Sequence, residues 1–225
     1  MSFDVNNGKL RVAVLVSGDG RGTNLQALID ACERGQIPAQ IGVVIGTRSQ
    51  SAAMDRARAA GVDTVVISPR ANEGEKYGVA LLRALRRRET GLVCLAGYLL
   101  KLPPVVTSEY AGRIMNIHPA LLPLFGGRGM FGENVHRAVL ESGMKISGCT
   151  VHFVDDEYDN GPIILQSAVP VEDEDTPATL AARILSQETR CYPEAVGLFA
   201  ARRLRIDGRR VYTARADEEG ETDNG

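Results

Sequence analysis

Short apolar runs alternate with amphipathic stretches along the first half of the chain. The run from Leu10 to Ser17 is rich in β-branched residues and lacks polar alternation, which is typical of a strand covered on both faces. Comparable runs predict strands at Gln40 to Gly46, Val62 to Ile67, Leu92 to Leu95 and Arg113 to His118. The stretches between them predict helices from Leu25, at Ser51 to Ala60, at Glu73 to Arg88 and at Val105 to Tyr110. This alternation predicts an α/β fold with one doubly wound, mostly parallel sheet.

The second half of the chain predicts antiparallel C-terminal strands. After a helix at Glu133 to Ser142, strands at Lys145 to Phe153 and Pro162 to Val169 are separated by a turn signal. A long helix begins at Thr176, and a small hairpin follows at Leu204 to Tyr212. We therefore expect a flexible N-terminus over 1–9, one domain over 10–213 and an acidic, disordered tail over 214–225.

Composition narrows the class of protein without naming it. The 225 residues are 44% apolar, enough for a sizeable core, and the net charge of −2 gives no basic field for nucleic acid. No secretion signal or membrane-length apolar run is present, so we expect a cytoplasmic protein. The four cysteines are widely spaced without a CxxC pair, which indicates reduced thiols. The spacing of the three histidines supports no metal site.

Two polar residues interrupt the apolar strand that ends at His118. Asn116 and His118 are two residues apart, so both side chains point to one face. Pro119 ends the strand and places the imidazole at the carboxyl edge of the sheet, where open α/β sheets bind ligands. A core Asn and His with backbone partners is the alternative to a functional pair.

Other polar signals lie at loops that follow strands. Gly18, Gly20 and Gly22 precede a helix and predict an anion-binding loop, although GxGxG is not the dinucleotide fingerprint; Thr23 or Asn24 could instead cap the helix. The segment 124–132 has four glycines and predicts a lid. Glu188 falls on the apolar stripe of the last helix and needs a partner, either Arg183 or a ligand.

Four stretches of the chain together carry a family resemblance. They are Ser17 to Leu28, Leu95 to Tyr98, Asn116 to Pro123 and Val151 to Pro162, the last of which contains Asp159 before a glycine turn. In this order, they resemble the folate-dependent phosphoribosylglycinamide formyltransferase family of purine biosynthesis over Leu10 to Ala200. The resemblance implies a Rossmann-like formyltransferase fold. It also implies transfer of a formyl group from the cosubstrate 10-formyltetrahydrofolate to the amine of 5-phosphoribosylglycinamide, with no metal.

The resemblance assigns site residues position by position. It implies that Asn116, His118 and Asp159 are catalytic. It implies that Gly22, Thr23 and Asn24 bind the substrate phosphate and that Glu188 contacts the ribonucleotide. The implied folate-binding residues are Leu99, Leu100, Lys101, Leu102, Asp155, Asp156, Glu157 and Tyr158. The expected partners are these two small molecules, with no nucleic acid and no membrane; a homodimer is one option that the sequence leaves open.

The implied reaction explains why these residue types are needed. When an amine attacks the formyl carbon, an oxyanion develops and the nitrogen must lose a proton. Asn116 can donate to the oxyanion, and His118 can stabilise it as imidazolium and pass protons. Asp159 can stabilise that imidazolium or relay the proton through water, and the sequence leaves both roles open.

Three other functions compete with this interpretation. Methionyl-tRNA formyltransferase shares the Asn-x-His and Asp pattern but would add an RNA-binding domain, and formyltetrahydrofolate hydrolase would add an N-terminal regulatory domain; we expect neither in this chain. A folate- or nucleotide-binding module without catalysis is the third alternative. The complete set of Asn116, His118 and Asp159 favours an enzyme.

Overall fold

The computed structural model describes residues 8–17 and 20–214. Residues 1–7, Gly18, Asp19 and residues 215–225 lie outside the described residues, so most of the predicted N-terminal segment, two positions of the glycine-rich loop and nearly all of the predicted tail are not addressed. The strands are β1 Leu10–Val16, β2 Ala39–Gly46, β3 Thr64–Val66, β4 Leu92–Leu95, β5 Ile114–His118, β6 Ile146–Phe153, β7 Ile163–Pro170, β8 Leu204–Asp207 and β9 Arg210–Thr213. The helices are α1 Thr23–Glu33, α2 Ala52–Ala59, α3 Glu75–Arg87, α4 Pro104–Glu109, α5 Glu133–Glu141 and α6 Pro177–Ala200.

Within the described residues, all strands join one sheet in the order β3-β2-β1-β4-β5-β6-β7-β9-β8. The strands from β3 to β5 pair in parallel, whereas β6 pairs antiparallel with both β5 and β7. The terminal hairpin of β8 and β9 continues the sheet through one parallel pairing, between Ile163 and Arg210. The predicted α/β class, with a mostly parallel sheet and antiparallel C-terminal strands, is confirmed.

A separate apolar core covers each face of the sheet. On one face, β1 and β4 contribute Val12, Val14 and Cys94, which pack with residues of α1 and α6. On the other face, Ala13, Leu15 and Val93 pack with residues of α3 and α4. Because consecutive strand residues alternate between the faces, a strand buried on both sides requires an unbroken apolar sequence. This two-sided burial explains the run from Leu10 to Val16.

Helix α6 is fixed to the centre of the sheet by a buried tyrosine. The hydroxyl of Tyr192 lies 3.0 Å from the carbonyl oxygens of both Leu95 and Met115, at the carboxyl ends of β4 and β5. Glu188 is one helical turn before Tyr192 and therefore lies over the same edge of the sheet. The α6 helix begins with a capping box formed by Thr176 and Thr179.

The four cysteines are free and buried, as the sequence predicts. None of the helices in the described part of the chain combines the length and apolar character needed to cross a membrane.

Candidate active site

A cavity of about 430 Å³ opens at the carboxyl edge of β5. Asn116 and His118 line it from β5, Asn24 from the start of α1 and Glu188 from α6. Asp159 lines it from the turn between β6 and β7. The loop 124–132, called the lid loop below, contributes Gly127 through Gly132. Segments that are far apart in the sequence therefore converge on one space.

His118 is held between the lid loop and Asp159. Its ring is 3% exposed, and Nε2 lies 2.8 Å from the carbonyl oxygen of Phe125. Since a carbonyl can only accept, Nε2 carries the hydrogen, and Nδ1 is the atom that lies 3.6 Å from Oδ2 of Asp159. Burial lowers the pKa of His118 below its ordinary 6.5, and Asp159 only partly offsets this effect. The imidazole is therefore neutral at neutral pH, with the Nδ1 lone pair facing the carboxylate.

Asp159 is surrounded by hydrogen-bond donors and imidazoles. Its Oδ2 accepts from the backbone amide of Gly127 at 2.9 Å, and its Oδ1 accepts from Nδ2 of Asn116 at 3.3 Å. Burial raises the pKa of Asp159, but His152, His118 and the Gly127 amide outweigh that effect and hold it below 3.8. The residue has a left-handed φ of 51°, so the turn presents this side chain in a backbone conformation that few non-glycine residues adopt. Asp159 is thus an ionised, rigidly held carboxylate.

The amide of Asn116 is oriented by a second histidine. His152 faces Asn116 across the β5–β6 pair, and its Nδ1 lies 2.7 Å from the carbonyl oxygen of Phe153. In the tautomer that has its hydrogen on Nδ1 and donates to that carbonyl, Nε2 accepts from Nδ2 of Asn116, which is 3.1 Å away. The two hydrogens of this amide nitrogen therefore point to His152 and Asp159.

Asn24 and Glu188 form a polar pair at the other side of the cavity. Nδ2 of Asn24 donates to Oε2 of Glu188 at 3.1 Å, while Oδ1 of Asn24 is buried and has no hydrogen-bond partner among the residues that the structure describes. Glu188 is 7% exposed, and burial raises its pKa above 4.5 despite the bond from Asn24. The pair offers acceptor atoms to a ligand with hydroxyl or N–H groups.

A second cavity of about 60 Å³ adjoins the first. It is lined by Leu100, Lys101, Leu102 and the turn residues Asp155, Asp156 and Glu157. Asn116, Asp159, Tyr98 and Tyr158 line both cavities. Two ligands could therefore meet at Asn116 and Asp159.

The structure brings together most, but not all, of the residues selected from the sequence. Leu99 lines the first cavity, whereas the next three residues line the second. Among the described residues of the predicted phosphate loop, only Asn24 lines the first cavity; Thr23 lies in a separate cleft beside Arg56. Gly22 has a φ of 69°, and a Cβ there would lie 2.7 Å from Cα of Ala53, so close packing against α2 requires glycine.

Two alternatives weighed from the sequence are wrong. No side-chain cap hydrogen bond forms at the start of α1 among the described residues, so neither Thr23 nor Asn24 caps that helix. Arg183 pairs with Asp175 rather than with Glu188, whose partner is Asn24.

Sequence reasoning missed His152 as a member of the site. Its position on β6 opposite Asn116 depends on strand register, which the sequence does not reveal. The backbone groups of Phe125 and Gly127 were missed as well, because main-chain contacts leave no residue-type signal. Within 8–17 and 20–214, no cluster of three or more His, Cys, Asp or Glu side chains is arranged to hold a metal ion.

Comparisons with known proteins identify the family of this chain. A family model described as "Formyl transferase" matches residues 10–196. The chain is 38% identical over 210 residues to phosphoribosylglycinamide formyltransferase of Escherichia coli K12, covering 90% of this chain and 96% of that protein. It is 40% identical to the human trifunctional purine biosynthetic protein adenosine-3, covering 88% of this chain but only 19% of that protein.

A solved structure of glycinamide ribonucleotide transformylase 1 from Symbiobacterium toebii superposes with a TM-score of 0.87 at 44% identity. The match covers 96% of this chain and all of that chain.

Proposed function

The chain belongs to the formyl transferase family, and from that premise we propose that it transfers a formyl group from 10-formyltetrahydrofolate to the amine of 5-phosphoribosylglycinamide, a step of purine biosynthesis. The observation that carries the proposal is the convergence of Asn116, His118 and Asp159 at the junction of two cavities. A reaction between two bound molecules needs such a junction, because the attacking and leaving groups must meet within reach of the same catalytic side chains.

The larger cavity suits the ribonucleotide and the smaller one the folate ring. The larger cavity contains the acceptor pair of Asn24 and Glu188, which fits the hydroxyl groups of a ribose. The smaller cavity is lined by Leu100, Leu102 and the polar turn from Asp155, a combination that suits one edge of a flat ring with polar groups. Its volume of about 60 Å³ admits only part of such a ring.

We assign the proton transfers to His118. In the free protein its Nδ1 is unprotonated, so it can accept a proton from the attacking amine as the new C–N bond forms. The resulting imidazolium lies beside the carboxylate of Asp159, which stabilises the positive charge. The proton then passes to the folate nitrogen as its bond to the formyl carbon breaks. Of the two roles left open by the sequence, charge stabilisation is the one that this geometry supports for Asp159.

Asn116 would stabilise the developing oxyanion. Both hydrogens on Nδ2 have partners in the substrate-free protein, and the bond to Asp159 is the longer of the two, at 3.3 Å against 3.1 Å to His152. We propose that the hydrogen that faces Asp159 donates to the oxyanion during the reaction, while the hydrogen bond to His152 keeps the amide of Asn116 oriented.

The proposal is tested by mixing the purified protein with both substrates and following the deformylated folate by absorbance. We expect turnover that depends on 5-phosphoribosylglycinamide. Folate release without the ribonucleotide would instead indicate a hydrolase, and binding of both molecules without turnover would indicate a binding module.

We further propose a cytoplasmic location and a function that involves neither nucleic acid nor metal. Light scattering of the purified chain would decide whether it forms a homodimer.

A further inference from the structure

We propose that Arg128 of the lid loop binds the phosphate of the ribonucleotide and gives the enzyme its preference for a phosphorylated substrate. The inference rests on the function proposed above and adds a residue to it. Arg128 lines the larger cavity together with Asn24 and Glu188, and it does not line the smaller one. It therefore lies in the cavity assigned above to the ribonucleotide, which Leu99 of the predicted folate segment lines as well.

The charge of the larger cavity shows why a cation is needed there. Its lining contains two carboxylates, Asp159 and Glu188, and Arg128 is the only Lys or Arg among the described residues that line it. A substrate phosphate brings further negative charge into this space. The start of α1 offers backbone amides and a partial positive charge to the phosphate, and a guanidinium would add a full positive charge in a cavity that also holds two acidic side chains.

Arg128 has no competing role in the described structure. No hydrogen bond or ion pair of its side chain is present among residues 8–17 and 20–214, and the residue is exposed. By contrast, the exposed Arg137 on α5 is paired with Glu133 at 2.7 Å. Guanidinium groups bind phosphate oxygens in a bidentate fork, so an unpaired arginine beside an anionic substrate has a ready partner.

The backbone around Arg128 allows it to move without disturbing the catalytic side chains. Gly127 and Gly129 flank it with φ values of 97° and 88°, a region that favours glycine. The contacts that hold the catalytic residues come from the preceding backbone, namely the carbonyl of Phe125 and the amide of Gly127. Replacing the Arg128 side chain should therefore alter binding and leave the transfer step nearly unchanged.

Binding of ribose 5-phosphate and of ribose, measured by calorimetry, tests the phosphate contact without any turnover. For Arg128→Ala we expect affinity for ribose 5-phosphate to fall by roughly tenfold to a hundredfold, because one charge-assisted contact is lost. Arg128→Lys should restore part of the lost affinity for ribose 5-phosphate, since lysine keeps the positive charge but lacks the bidentate geometry of the guanidinium. Arg137→Ala is the matched control and should bind like the wild type. Equal affinity of Arg128→Ala and wild type for ribose 5-phosphate would overturn the assignment.

Kinetics distinguish whether Arg128 binds the phosphate of the ribonucleotide or a carboxylate of the folate. In Arg128→Ala, KM for 5-phosphoribosylglycinamide should rise by the same factor, while kcat and the kcat/KM for the dephosphorylated riboside stay within about twofold of wild type. A rise confined to KM for a folate with several glutamates would place Arg128 on the cosubstrate and contradict the proposal. If the wild type shows no turnover, the proposed function is wrong. The phosphate contact of Arg128 is still tested in that case, because calorimetry measures binding without turnover.

Discussion

At the scale of single residues, the site depends on how burial and charge compete at His118. Desolvation favours the neutral ring, and Asp159 favours the charged ring. Because desolvation is the larger effect, the free protein holds a base that is ready to accept a proton. The nearby carboxylate then stabilises the cation only once it has formed.

Replacement of either member of this pair should impair the chemical step. We expect His118→Ala and Asp159→Asn each to lower kcat by at least ~100-fold, the low end for loss of a general acid–base group. His136→Gln is the control, since His136 is also a buried histidine but does not line either cavity. Steady-state assays, with thermal unfolding to verify folding, would measure the effect. Near wild-type kcat in His118→Ala would remove the assigned base.

The titration of His118 is a separate prediction. We expect its pKa to lie below 6.5 in the free protein and to fall further in Asp159→Asn, because the raising effect of the carboxylate is removed. Nitrogen-15 NMR of the imidazole would measure both values. A pKa above about 7 in the wild type would mean that most of the rings are already charged at neutral pH and that the proton path runs the other way.

Residue types alone predicted that the side chains of Asn116 and His118 meet at the end of β5, but not the contacts around them. The Asn-x-His spacing and the following proline place two side chains at a strand end, and this inference needs only period-two geometry. His152 joins them through the register between β5 and β6, which depends on long-range pairing. The same limitation applies to Thr23, because its orientation follows from how α1 packs against its neighbours.

At the scale of elements, the terminal hairpin supports the turn that carries Asp159. Nη2 of Arg209, between β8 and β9, donates to the carbonyl oxygen of Asn160 at 2.9 Å. Nδ2 of Asn160 in turn donates to Oδ2 of Asp155 at 3.0 Å. These bonds connect the edge of the sheet to the wall of the smaller cavity.

Loss of this support should affect folate binding more than chemistry. For Arg209→Ala we expect KM for the folate to rise roughly threefold to tenfold, the equivalent of about one ordinary hydrogen bond, with kcat changed less. Arg205→Ala is the control, because Arg205 lies on the same hairpin but pairs with Asp207. An equal rise in KM in both variants would point to loosening of the whole hairpin instead.

The elements themselves were largely foreseeable from sequence pattern. The predicted strands and helices lie within about two residues of those observed, because unbroken apolar runs and amphipathic stretches carry strong periodic signals. The contribution of the hairpin was not foreseeable. Exposed arginines on a polar hairpin have the same composition whether or not they contact a distant turn.

At the scale of the whole molecule, one residue of the proposed substrate site, Glu188, reduces stability when it is charged. Glu188 sits in an apolar environment on α6, and its raised pKa means that the folded state binds the proton more tightly than the unfolded state does. As pH rises from about 4.5 through the pKa that Glu188 has in the folded state, the folded protein must hold an unfavourable buried charge. The free energy of unfolding therefore decreases over this pH range.

Glu188→Gln should therefore stabilise the protein while weakening substrate binding. We expect its melting temperature to match that of wild type near about pH 4 and to exceed it near about pH 8, by about 2–4 °C for each kcal/mol gained. KM for the ribonucleotide should rise in the same variant. Glu194→Gln, an exposed position on the same helix, is the control and should show no such pH-dependent gain. A lower melting temperature for Glu188→Gln at about pH 8 would contradict the argument.

The lid loop contacts the site in two ways, through its backbone and through residues that line the cavity. His118 and Asp159 are anchored there by a carbonyl and an amide of the main chain, groups that every residue type other than proline supplies. Residues farther along the loop, such as Arg128 and Phe131, line the cavity without anchoring His118 or Asp159. We therefore expect replacements at these two positions to change which molecule binds and to leave the anchoring of His118 and Asp159 unaltered.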